Sequence, residues 1–131
     1  MMKIYNMGKL VKEPKKPKAK TPLESEILRD VCEYLTDNFY FFWRSNNIPV
    51  FGMNNGGKMA FRALPKYTPR GLPDVMVVHN AEFIAIEVKR VGAKLRPEQE
   101  TFRDNLNAHG GIYIVVHSEK ELDLLFKNKI L

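Results

Sequence analysis

Cysteine is almost missing from this chain: Cys32 is the only one among 131 residues. That excludes an intrachain disulfide and a cysteine-based zinc site, and it fits a reducing compartment. Long apolar runs are missing too. Nothing approaches the roughly 18 residues of a membrane span, and the opening MMKIYNMGKLVK lacks the continuous apolar core of a signal peptide. These absences read as a cytoplasmic protein with no membrane partner. Acid is scarce in two places. Residues 1–20 hold seven of the 21 lysines and arginines but one of the 15 acids, Glu13, which leaves 14 of each sign elsewhere. The net charge of +6 therefore lies in a leader, and the remainder is formally neutral. The second stretch, between Asp37 and Asp74, has no acid at all.

The length suits one domain. Residues 1–20 read as a basic flexible N-terminal tail and residues 21–131 as a single domain. EPKKPKAK has little to bury and should be extended or disordered. It is either a solubilising tail or an arm that follows a phosphate backbone.

Thr21-Pro22-Leu23-Glu24 reads as a helix start, with Thr21 as N-cap and Glu24 closing a capping box. Ile27, Leu28, Val31 and Leu35 then form an apolar stripe at helical spacing. FYFFWRS (39–45) has strand composition. Asn46-Asn47 and Gly52 to Gly57 carry turn chemistry, for a hairpin or mobile loop, and residues 61–67 can hold another short strand. Asp74–Val78 and Phe83–Lys89 are strands joined by a turn short enough for a hairpin. Pro97 opens a helix with Gln99, Phe102 and Leu106 on one face. Ile112–Val116 is a strand, reached through that helix by a parallel crossover. Ser118 to Glu121 is a capping box for a last helix through Leu122 and Leu125. The order predicts an α/β fold: a mixed β-sheet flanked by helices.

The chemistry concentrates at two strand ends. Glu87 and Lys89, two apart on a strand, project to one face. The hairpin brings Asp74 to the same end. Alone, Pro73-Asp74 is a common turn dipeptide and Glu-x-Lys a common surface ion pair. Together, at the end of a strand apolar on both faces, they form a candidate site for a hard cation acting on phosphate. Asp74 and Glu87 would be ligands, with the Val88 carbonyl as a possible third. Lys89 would place positive charge beside the transition state. Gln99, on the inward stripe of its helix, could orient water or a ligand, or be a solvated first-turn residue. Glu26 could reach the metal shell, or be an ordinary surface acid. His79, His109 and His117 lack ligand spacing, and Cys32 reads as packed.

The acid-free segment holds Arg44, Lys58, Arg62, Lys66 and Arg70 among Phe42, Trp43, Phe51, Phe61 and Tyr67. Cations can contact phosphates and aromatics can stack on unpaired bases. Core packing of the aromatics is the alternative.

Glu26, Trp43-Arg44, Gly71-Leu72-Pro73-Asp74, Glu87-Val88-Lys89 and Gln99, in this order, resemble the PD-(D/E)xK nuclease superfamily, and within it the VRR-NUC family. The resemblance covers most of residues 23–118. It implies a restriction-endonuclease-like core and Mg²⁺- or Mn²⁺-dependent cleavage of DNA. By it, Asp74 and Glu87 are metal ligands, Lys89 is the catalytic lysine, and Glu26 and Gln99 support them. Stand-alone phage and bacterial members are similar to Holliday-junction resolvases and often dimeric. The implied setting is a bacterial or phage-infected cell, the partner branched or junction DNA, and the assembly a homodimer. Family members often cap the helix before the glutamine with a small hydroxyl residue, where this chain has Arg96.

Overall fold

The structure, a computed structural model, describes residues 5–6, 9–10, 20–45, 51–53, 56–57, 59–61 and 66–128. The elements in chain order are β1 (Tyr5–Asn6), β2 (Lys9–Leu10), α1 (Glu24–Asp37), β3 (Phe41–Arg44), β4 (Phe51–Met53), β5 (Met59–Phe61), β6 (Val75–His79), β7 (Glu82–Val88), α2 (Pro97–Ala108), β8 (Ile112–Val116) and α3 (Glu119–Lys127). The main sheet has the order β3-β6-β7-β8. Its first two pairings are antiparallel and β7–β8 is parallel. This is the mixed sheet with flanking helices that the element order predicts.

Strand alternation assigns each residue to one of two faces. Val75, Val77, Ile84, Ile86, Val88 and Val116 form one buried layer with Ile27, Val31 and Leu35 of α1 and Leu122 of α3. The other face carries Met76, Ala85, Glu87 and Tyr113, as the pairings Met76–Ala85, Ala85–Tyr113 and Glu87–Val115 require. Helix α2 lies on that face, where Phe102 packs on Tyr113 with ring centroids 6.3 Å apart. Strand β7 is thus covered on both sides, which is why Ile84–Val88 is uniformly buried.

The β6–β7 hairpin turns at Asn80 and Ala81, both at positive φ (50° and 65°). Two left-handed residues match the twist of a tight hairpin. The β4–β5 pair is the hairpin expected around Gly52–Gly57, and residues 62–65, part of the expected strand at 61–67, lie outside the described residues. The N-terminal segment read as flexible contains an antiparallel pair, β1–β2, while 13–19 of EPKKPKAK lie outside the described residues.

Helix α1 starts later than the sequence implies. Its N-cap is Leu23, with extended backbone (φ −72°, ψ 152°), not Thr21. Both positions have an acid three residues on, Glu24 for Thr21 and Glu26 for Leu23, and the box that forms is the one at Leu23. Glu26 takes the N3 position, and its carboxylate accepts from the Leu23 N–H at 3.3 Å. The cap of α3 does fall at Ser118, whose Oγ accepts from the Glu121 N–H at 3.2 Å. The Glu121 carboxylate reaches His117 instead, accepting from its N–H at 2.8 Å.

Gly71 fixes the approach to Asp74. Its φ is +71°, and a Cβ there would run into the backbone of Glu98 and Gln99 in the first turn of α2. Gly71→Ala should therefore lower stability by more than the ~1 kcal/mol of left-handed strain alone, read as an earlier urea midpoint. An unchanged midpoint would show that the loop and α2 are not tied together there.

Candidate active site

Among the described residues three polar or charged side chains are buried: Glu87 at 3% exposure, Lys89 at 7% and Gln99 at 3%. They meet because β7 ends where β6 begins. The pairing Val75–Ile86 sets Asp74 beside the last residues of β7, and the Val88 N–H donates to Asp74 Oδ2 at 2.8 Å. On a strand, a residue's N–H and C=O leave on the same edge. The Val88 carbonyl therefore also points toward Asp74.

Gln99 spans two elements. Its Nε2 donates to Glu87 Oε1 at 2.7 Å, and its Oε1 accepts from the Arg96 N–H at 2.9 Å. The second bond caps α2 and supplies what a hydroxyl at position 96 would have given. One amide thereby ties the helix start to the carboxyl group. Lys89 Nζ stands 3.8 Å from the same Glu87 oxygen.

Glu87 Oε2 is buried with no hydrogen-bond partner among the described residues. Its neighbour is the carboxyl of Asp74, with which it can hydrogen-bond only as an acid. Burial, then the Asp74 charge, pushes the Glu87 carboxyl up to about 8, against a smaller opposing effect of Lys89. Burial also raises Asp74, while the Val88 N–H opposes it. Without a cation, two carboxyl groups share one proton, held on Glu87. A divalent cation supplies the charge that proton supplies, and the oxygen donor set suits Mg²⁺ or Mn²⁺. Among the described residues no three His, Cys, Asp or Glu side chains gather into one site. A cation at Asp74 and Glu87 would complete its shell with the Val88 carbonyl, water and phosphate oxygens.

The remaining candidates sort clearly. The Glu26 carboxylate is exposed and engaged at the helix start. Glu24 is the α1 acid whose charge reaches both Asp74 and Glu87. It stands three residues before Ile27 and seven before Val31, at the head of the buried stripe, and that spacing was its signal. Arg44 pairs with Val75, so it belongs to the α1 face and lines a cavity of about 410 Å³ with Leu28, Cys32 and Thr36. It is on the other side of the sheet from Glu87. Lys66 and Arg70 are exposed, and Lys58 and Arg62 lie outside the described residues. Exposed Arg90, Lys94 and Arg96, with Arg70, lie on the loops beside the site. Their signal was a second acid-free run, residues 88–97. Arg90 also donates to the Thr21 carbonyl at 3.3 Å, tying the entry of α1 to this end of the sheet. Phe42 and Cys32 pack against the core. The Tyr113 hydroxyl is buried without a partner among the described residues, and burial followed by the charges of Glu87 and Asp74 raises its pKa.

Residues 57–120 match the VRR-NUC domain, which spans every site element except α1 and β3. That match supports a nuclease-type function of the VRR-NUC kind. No curated protein matches it. No described helix is long and apolar enough to cross a membrane.

The raised carboxyl has a consequence for stability. The folded chain holds the Glu87 proton more tightly than an unfolded chain with the ordinary value of 4.5. The stabilisation is complete below that value and is lost as pH rises toward about 8. In chelator, the thermal midpoint should fall between about pH 5 and about pH 9 more steeply than in Glu87→Gln, and saturating Mg²⁺ should restore it at the upper end. Parallel curves for the two proteins would contradict the assignment.

Proposed function

We propose that this protein is a metal-dependent endonuclease that hydrolyses phosphodiester bonds in branched DNA, resolving junctions as a homodimer. The observation that carries the metal dependence is the buried Glu87 carboxyl beside Asp74, whose Oε2 has no hydrogen-bond partner among the described residues. The residues fit Mg²⁺ or Mn²⁺, with Asp74, Glu87 and the Val88 carbonyl as ligands. When bound, such a cation neutralises phosphate charge and makes water a stronger acid.

The chain's own groups do the rest. Lys89 holds an ammonium next to the Glu87 carboxylate, where negative charge develops on the phosphoryl oxygens. Its burial, at 7% exposure, keeps that charge in place. Gln99 holds Glu87 Oε1 and leaves the second oxygen free for the cation. Arg70, Arg90, Lys94 and Arg96 can contact phosphates flanking the scissile one, fixing register without reading sequence. The family makes DNA the expected substrate. A branched substrate is supported by a formally neutral domain, which offers a long duplex little general attraction. Two-fold symmetry would supply paired cuts.

Purified protein should cleave four-way junctions or flaps in Mg²⁺ or Mn²⁺ faster than duplex or single strands, and not in chelator. No cleavage of any of the four by folded protein would sink the enzyme reading. Lys89→Ala should lower kcat by at least ~100-fold with DNA affinity kept; undiminished turnover would remove Lys89 from the reaction. Asp74→Asn should abolish the Mg²⁺ binding seen by calorimetry; retained binding would exclude Asp74 as a ligand.

A further inference from the structure

We infer that Trp43, with Phe41 and Phe83, forms a stacking platform for unpaired bases of the substrate strand next to the cut. The inference rests on the nuclease reading and names the feature of DNA that the site selects. Phe41 pairs with Val78, Val78 with Phe83, and Trp43 with Met76. All five project from the sheet face that carries Glu87. Helix α2 covers that face over β8, and the β3 side carries exposed aromatics: Phe41 at 71%, Trp43 at 41% and Phe83 at 39% exposure. The rings contact one another, Phe41–Trp43 and Trp43–Phe83 both at 6.0 Å between centroids. Met76 is buried beneath them.

The patch is continuous with the site. The Ser45 N–H donates to the Asp74 carbonyl at 3.0 Å, and Trp43 stands two residues from Ser45, roughly 7 Å along the strand. That is about two stacked nucleotides from a phosphate at Asp74. A base so placed must leave its duplex, because a paired base presents only its edge. Charge favours the same occupant. Asp30, Glu33, Asp37, Glu119 and Asp123 line an acidic hollow of about 500 Å³ between α1 and α3, on the opposite face, and repel a polyanion there. The cations flank the site. A neutral domain gains affinity from stacking, which needs no net charge.

Trp43 is the only tryptophan, so its emission reports the platform directly. Full-length protein in chelator is titrated with an oligo-dT of about ten residues, an abasic strand of equal length and a duplex, each dye-labelled. We expect oligo-dT to quench Trp43, and the abasic strand and duplex to bind with little quenching. Trp43→Ala should weaken oligo-dT binding roughly 5- to 150-fold and duplex binding little. Trp43→Phe should recover most of the loss, and Trp43→Leu, which keeps the edge strand apolar, should not. Binding of oligo-dT by anisotropy without a change in emission would overturn the platform. So would emission insensitive to DNA together with a Trp43→Ala variant of half the wild-type mass in sedimentation, which would make the patch a contact between copies. The cleavage panel run beside it separates the two readings: metal-dependent cleavage with an unresponsive Trp43 removes the platform alone, whereas no cleavage and no binding removes both.

Discussion

Burying a carboxyl group costs free energy unless its oxygens are partnered, and three elements are arranged around that requirement at Glu87. Strand β7 carries it into the interior, α2 delivers the Gln99 amide to one oxygen, and the start of β6 brings the Asp74 carboxyl beside the group. Lys89 adds a cation at 3.8 Å rather than a tight ion pair. The balance leaves Glu87 protonated near neutral pH when nothing else is bound. A protein built only for stability would do better with an apolar residue there. The arrangement makes sense if the second oxygen is kept for a cation that comes and goes with substrate.

The topology makes this convergence inexpensive in chain length. A tight hairpin aligns the end of β7 with the beginning of β6, so residues 13 positions apart meet at one edge. The parallel return to β8 needs a crossover helix, and the first turn of that helix meets the end of β7 through the Gln99–Glu87 hydrogen bond. Gly71 allows the loop before Asp74 to lie on the first turn of α2. Position along the chain, hydrogen bonding and packing therefore act on the same few atoms.

Much of this was legible in the sequence, for reasons that can be named. Strand alternation placed Glu87 and Lys89 on one face, and the short turn brought Asp74 to them. The inward stripe of α2 included Gln99, and its burial with Glu87 follows. What was not legible lay at α1. Assigning Thr21 as the cap made Glu24 the capping acid and Glu26 the site acid. The box closes at Leu23 instead, so Glu26 is the capping acid and Glu24 is the one whose charge reaches Asp74 and Glu87. Arg44 stands apart from the other cations for a different reason. Its neighbour Trp43 is on the site face, and a period of two sends Arg44 to the other. Composition gathers cations into a segment, but only register says which face they share.

The two faces of the sheet then account for a division of labour. On the α1–α3 face, apolar side chains from both helices close over the strands, and acid collects in the hollow outside. On the α2 face, closure is partial. The helix seals the polar cluster at the β7–β8 side, where desolvation strengthens each electrostatic contact, and aromatic rings finish the surface at the β3 side. A strand crossing that face would meet cations at the loops, the carboxyl pair at the strand ends and rings beyond. Full closure by a second helix would improve the core but remove the surface that a nucleic acid needs. The exposed rings are consistent with a fold in which stability is gathered on one side of the sheet so that the other can remain accessible beside the reacting groups.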